Sequence, residues 1–127
     1  MDKKPKILVV DDDPELVQVT SRILRSKLYE VIVAYNGKEG LQKARKEKPD
    51  LIILDILMPV MDGFRASDEF KKDKSLSGVP IIALTSFSES LGQPFDYQFD
   101  EYVNKPVRPK ELLNIVDKHL IRKGLKV

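Results

Sequence analysis

Three short apolar runs each break off at a polar side chain: Ile7–Val10 at Asp11, Leu51–Leu54 at Asp55, and Val79–Leu84 at Thr85. Runs this short, uninterrupted and rich in branched residues are the pattern of strands buried on both faces. Helical signals fill the gaps between them. Asp13 followed by Pro14 makes an N-cap with proline at the first helical position, and Leu16, Val19, Ile23 and Leu24 recur behind it at helical spacing. Glu30 to Ala34 is a further strand; Asn36 and Glu39 then resemble a capping box opening a helix through Leu41 and Ala44, closed by Pro49-Asp50. After a turn around Pro59 and Gly63 a shorter helix carries Phe64 and Phe70. Tyr102-Val103-Asn104 is the last strand, ending at Lys105-Pro106, and Pro109 opens a final helix through Leu112, Ile115, Val116 and Leu120. Strands alternating with helices imply a doubly wound α/β architecture, a five-stranded parallel sheet with helices on both faces, because each parallel return needs a crossover.

Length and composition narrow the reading. A chain of 127 residues is the common size for one domain, and no repeat, linker or low-complexity stretch divides it, so residues 1–127 are expected to form a single unit. The balance of 42% hydrophobic and 33% charged residues favours a soluble globular domain. No window reaches the roughly 20 apolar residues of a membrane span, and the opening Met1-Asp2-Lys3-Lys4-Pro5 lacks the apolar core of a secretion signal, so the expected location is cytoplasmic. Without cysteine, disulfides, thiolate metal sites and cysteine nucleophiles are excluded. A net charge of +2 with dispersed basic residues gives no reason to expect direct nucleic-acid binding; the short basic run Arg122-Lys123 with Lys126 reads as a solvated end.

In open parallel sheets, ligands bind beyond the carboxyl ends of the strands. Asp11, Asp12, Asp55, Thr85 and Lys105 all fall at such ends, and the fold would gather them on one rim. Singly, each has a plain explanation as a turn residue, a satisfied hydroxyl or a surface lysine. Together they put three carboxylates and one ammonium in one crevice. Two like charges ~4 Å apart cost ~4 kcal/mol at an effective dielectric of 20. A hard divalent cation offsets that cost, and Mg²⁺ characteristically takes one or two carboxylates together with waters and phosphate oxygens. A carboxylate beside such a cation and a lysine is placed to attack phosphorus, with Asp55, at the end of the central strand, the best nucleophile. Nothing in the chain resembles a Gly-rich phosphate loop, which argues against a nucleotide donor.

The blocks Val9-Val10-Asp11-Asp12-Asp13-Pro14, Leu54 to Gly63, Ile82-Ala83-Leu84-Thr85-Ser86 and Tyr102-Val103-Asn104-Lys105-Pro106 together resemble the receiver domain of response regulators in two-component signal transduction. The resemblance spans nearly the whole chain. It implies the flavodoxin-like strand order 2-1-3-4-5 and a switch, not an enzyme, that accepts a phosphoryl group on Asp55 from a histidine kinase or phosphotransfer protein. By the same resemblance Asp12, Asp55 and the carbonyl of Leu57 hold Mg²⁺, with Asp11 acting mainly through water. Lys105 pairs with the phosphoryl group, Thr85 hydrogen-bonds it, and Tyr102 changes rotamer with Thr85. The Lys105–Pro106 bond is expected to be cis. The partners implied are the phosphodonor and a downstream protein target or output domain, with a homodimer among the possible arrangements.

Two places depart from that pattern. Leu57 and Phe87 are apolar where the family often carries polar groups that orient a hydrolytic water, which suggests slow loss of phosphate, the plainer alternative being that both side chains only pack at the rim. Gly92 and Pro94 interrupt the segment between the fourth and fifth strands, so the fourth helix is expected to be short or irregular, with Phe95, Tyr97 and Phe99 either covering the sheet edge or forming an exposed partner surface, the first being favoured. Met58 and Met61 read as loop packing and the lone His119 as a solvated helix residue. Two alternatives stay open. The order Asp11-Asp12-Asp13, Thr85, Lys105 also resembles haloacid-dehalogenase phosphatases, which would make Asp11 the nucleophile and Asp13 the acid but leave Asp55 unexplained. The other is a docking module that works without phosphate.

Overall fold

The computed structural model describes residues 4–56, 63–85, 99–125 and 127. Strands β1 (Lys6–Val10), β2 (Glu30–Ala34), β3 (Leu51–Asp55), β4 (Ile81–Thr85) and β5 (Glu101–Asn104) alternate with helices α1 (Pro14–Ser26), α2 (Gly37–Glu47), α3 (Gly63–Lys72) and α4 (Pro109–Arg122). All strand pairings are parallel and the order is β2-β1-β3-β4-β5. The helix expected between β4 and β5 falls on residues outside the described ones, as do Leu57, Met58, Met61, Phe87, Phe95 and Tyr97.

Side-chain alternation along the strands splits the core into two layers. Leu8, Val10, Ile52, Leu54, Ile81 and Ala83 pack with Leu41, Ala44 and Phe70 from α2 and α3. Their neighbours Ile7, Val9, Leu51, Ile53, Ile82 and Leu84 pack on the opposite face with Leu24, Leu112, Val116 and Leu120 from α1 and α4. Every residue of β3 and β4 is buried, which is why these strands read as continuous apolar runs.

The helices start where the side chains dictate. Asp13 accepts hydrogen bonds from the backbone N–H groups of Glu15 and Leu16 (3.0 and 3.4 Å), with Pro14 entering the first turn. Asn36 accepts from the Glu39 N–H at 2.8 Å, while the Glu39 carboxylate accepts from the Tyr35 N–H at 2.6 Å, one residue before the cap. Gly40 lets α2 approach the sheet: a Cβ there would stand 2.9 Å from Cγ2 of Val10. Strand β4 begins at Ile81 and not at Val79, because Val79 closes a turn on the Leu76 carbonyl and Pro80 has no N–H to donate.

His119 departs from its reading as a solvated residue. It is buried, and Nε2 lies 3.1 Å from Oε1 of Glu101, an acceptor supplied by β5. The same oxygen accepts from Lys118 Nζ at 3.0 Å, so two side chains of α4 hold the edge strand. Burial works to raise the Glu101 carboxyl, but these two hydrogen bonds outweigh it and hold the group below its ordinary value. Asp117, two residues before His119, accepts from Lys27 Nζ and from the hydroxyl of Tyr29, tying α4 to the turn after α1.

Candidate functional site

The carboxyl ends of β1, β3 and β4 converge because the three strands are adjacent and in parallel register, with Val10 opposite Leu54 and Asp55 opposite Leu84. The chain then leaves each strand along the same rim. The Asp11 N–H donates to Ala34 O at 3.1 Å, the Ile56 N–H to Leu84 O at 3.2 Å, and the Lys105 N–H to Thr85 O at 2.8 Å. These bonds extend the sheet pattern just past the strand ends, and so fix where Asp11, Asp55 and Lys105 project. The Lys105–Pro106 peptide bond is cis.

Asp11, Asp12, Asp13, Asp55, Ile56, Thr85 and Lys105 line a crevice of about 300 Å³. Lys105 Nζ lies 3.3 Å from Oδ1 of Asp55 and 3.7 Å from Oδ2 of Asp11. Asp11, Asp55 and Thr85 are buried, and Asp12 is exposed. The Asp13 N–H donates to Asp11 Oδ1 at 3.0 Å, fixing that carboxylate from the first turn of α1. Burial, reinforced by the nearby Asp55 charge, pushes the Asp11 carboxyl up to about 6, against the lowering pull of the Asp13 N–H and of Lys105. The rim therefore carries more negative charge than its single lysine offsets.

The residues fit a hard cation. One carboxylate oxygen from each of Asp11, Asp12 and Asp55 lies within 4.8 Å of the other two, spacing compatible with a shared ion. Asp11 Oδ2 is buried and accepts no hydrogen bond from any described residue. An all-oxygen set open on one side suits Mg²⁺, which keeps waters and substrate oxygens in its shell. The sequence-expected residues Asp11, Asp12, Asp55, Thr85 and Lys105 thus meet in one crevice, and Leu57 lies outside the described residues. The sequence reading did not assign Asp13 its contact with Asp11; the only signal was the N-cap pattern of Asp13-Pro14, which explains the helix start and not the second bond. Tyr102 is half-buried on β5, its ring edge-on to Phe99 with centroids 5.7 Å apart, in the α3-side core layer.

Comparison with known proteins agrees with this geometry. The response regulator receiver domain family model matches residues 7–117. The probable transcriptional regulator ycf27 of Pyropia yezoensis is 43% identical over 112 residues, covering 87% of this chain and 45% of that protein. The chain spans about half the length of the first curated relatives it matches. Among solved structures, the chemotaxis protein CheY4 of Vibrio cholerae superposes with a TM-score of 0.87 at 33% identity, covering 93% of this chain and all of that one. The response regulator TrrA of Thermotoga maritima, solved in complex with Mg²⁺-BeF, superposes with a TM-score of 0.83 at 37% identity, covering 91% of this chain and 99% of that one. The match along the sequence, the shared strand order and the acidic crevice at its carboxyl rim lead to one assignment: this chain belongs to the response regulator receiver domain family.

Proposed function

We propose that residues 1–127 work as one phosphorylation-dependent switch, in which Asp55 accepts a phosphoryl group from a histidine kinase or phosphotransfer protein and the new state is passed on by protein–protein contacts. The observation that carries this reading is the position of the Asp55 carboxylate, at the end of central strand β3 with acids of the β1 end and Lys105 within ion-pairing distance of one crevice. A phosphatase of the haloacid-dehalogenase kind would use Asp11 as nucleophile. Asp11 is fully buried, held by the Asp13 N–H and shifted toward its neutral form, all of which weaken it in that role.

In the transfer, a carboxylate oxygen of Asp55 attacks phosphorus as the P–N bond to the donor imidazole breaks. The leaving nitrogen keeps the bonding pair. Lys105, drawn toward Asp55 in the resting protein, shifts to the incoming phosphoryl oxygens, and the Thr85 hydroxyl donates to another of them. Mg²⁺ held by Asp12 and Asp55, with the Leu57 carbonyl and with Asp11 through water, would supply the positive charge that three carboxylates and a dianionic phosphoryl group require. Inward movement of Thr85 gives Tyr102, on the next strand, the space to change rotamer, and so carries the site's state to the β5 edge of the sheet. No helix among the described residues is long and apolar enough to cross a membrane.

The test is intact-mass analysis after incubation with acetyl phosphate and Mg²⁺. Wild-type protein should gain the mass of one phosphoryl group, Asp55→Asn should gain none, and Asp11→Asn should still react, though more slowly. A mass gain retained in Asp55→Asn and lost in Asp11→Asn would transfer the nucleophile to Asp11 and favour the phosphatase reading.

A further inference from the structure

A second concave site lies away from the acidic rim, between α1 and edge strand β2. It is a groove of about 360 Å³, near the lower end of the ~300–1,000 Å³ typical of small-ligand pockets. Its apolar strip is made by Val17 of α1 and Val33 of β2, and Tyr35 continues the Val33 face at its end. The polar lining is Gln18, Ser21, Arg22, Arg25 and the Tyr35 hydroxyl: every one of these side chains can donate a hydrogen bond, and none is an acid.

Three observations go beyond a solvated helix face. Arg22 and Arg25, one helical turn apart and both exposed, form no ion pair with any described residue, whereas Lys27, in the turn that follows α1, is paired with Asp117. The macrodipole accounts for Arg25 in the last turn of α1 but not for Arg22. Ser21 is 2% exposed, and its hydroxyl has no hydrogen-bond partner among the described residues, an arrangement costly enough to call for a partner. Glu39 of α2, whose carboxylate accepts from the Tyr35 N–H, is also engaged by Lys43 at 3.5 Å.

We infer that this groove binds a small organic carboxylate, its anionic head against Arg22 and Arg25 and its apolar body on Val17, Val33 and the Tyr35 ring. The groove's size favours a free small molecule over a protein surface, since a protein partner ordinarily buries ~800 Å² on each side. Nothing in this inference depends on phosphorylation of Asp55.

The test is a titration of the full chain, with Mg²⁺ present, by benzoate, followed through backbone amide NMR shifts at Ser21, Arg22, Val33 and Tyr35. Saturable shifts at these four positions are expected. The Arg22→Gln/Arg25→Gln double variant, whose new residues are good helix formers, should bind about tenfold more weakly, as loss of charge-assisted hydrogen bonds implies. Ser21→Ala should weaken binding about threefold while leaving the unfolding midpoint unchanged or raised. Three further arms use inorganic phosphate, benzyl alcohol and a capped Glu-Leu-Leu-Glu peptide. Equal binding of phosphate would reduce the groove to a charge patch, and equal binding of benzyl alcohol would remove the role of the arginines. Saturation by the peptide with none by benzoate would make the occupant a protein segment. Each of these outcomes, like absence of saturation or an unchanged affinity in the arginine variant, overturns the inference.

Discussion

At the carboxyl rim three carboxylates, Asp11, Asp12 and Asp55, gather beside one ammonium, Lys105, which lies within ion-pairing distance of Asp11 and Asp55, whereas along the seam around α4 Glu101 has Lys118 and His119 as donors and Asp117 has Lys27 and Tyr29. Both regions draw carboxylates out of water, Asp11 and Asp55 at the rim and, in part, Glu101 and Asp117 at the seam, and they treat Asp11 and Glu101 oppositely. Glu101 is held below its ordinary value by its partners, while Asp11 is pushed up to about 6. Ionised Glu101 therefore stabilises the folded chain, and ionised Asp11 opposes it. A region that tolerates unbalanced charge at a cost to folding is one arranged for a ligand to complete.

The largest effect should come from relieving the rim. With its carboxyl raised from 3.8 to about 6, folded Asp11 keeps a proton that the unfolded chain has released, so its ionisation lowers stability as pH rises through that window, and the penalty is complete above about 6. At ~1.36 kcal/mol per pKa unit the ionised group costs about 3 kcal/mol, an upper bound for metal-free protein. Asp11→Asn should thus be more stable than wild type by up to that amount at pH 8 in chelator, by urea unfolding, with the gain gone near pH 4. Equal stabilities at pH 8 would break the comparison.

At the seam the sign reverses. Removing the buried imidazole with His119→Ala leaves a cavity and takes one donor from Glu101, a destabilisation of about 2 kcal/mol measurable by urea unfolding. Because Glu101 titrates below its ordinary 4.5, its contribution is present above that value and lost as pH falls through the lowered one, so acid should narrow the gap between variant and wild type. Tyr29→Phe, which removes only the hydroxyl bonded to Asp117, should cost about 1 kcal/mol in the same assay. Burial and the Asp117 carboxylate both raise the Tyr29 phenol well above its ordinary value, so absorbance titration should show a phenol in the wild-type protein that ionises above the ordinary tyrosine range and is missing from Tyr29→Phe. The smallest effect belongs to Arg45→Ala on the surface. It breaks a solvent-exposed pair with Asp73, at 2.9 Å, and should leave the unfolding midpoint unchanged within error.

Much of the rim was legible in the chain because it is written locally. A buried parallel strand must be apolar throughout, so its end is marked by the first polar residue, and the parallel architecture sends those residues to one side. Asp11, Asp55 and Thr85 were found in this way, Lys105 from its place after the last strand and before Pro106, and Asp13-Pro14 and Asn36 marked helix starts through hydrogen bonds spanning three residues or fewer. The seam was not legible. His119 meets Glu101 across 18 positions and Asp117 meets Tyr29 across 88, and no local pattern distinguishes a helix histidine facing solvent from one facing an edge strand. The sequence pointed to repulsion among clustered acids but not to the upward shift of Asp11, whose main cause is burial, a property of the assembled sheet.

The account depends on the acidic rim being completed by a divalent cation, and urea unfolding at pH 8 with and without Mg²⁺ measures that most directly. A ligand that binds only the folded state at 100 times its dissociation constant adds about 2.7 kcal/mol. Wild type should gain about that much under such saturation, and Asp12→Asn should lose most of the gain while folding normally in chelator. An unfolding midpoint that Mg²⁺ leaves unmoved in wild type, or moves equally in Asp12→Asn, would contradict it.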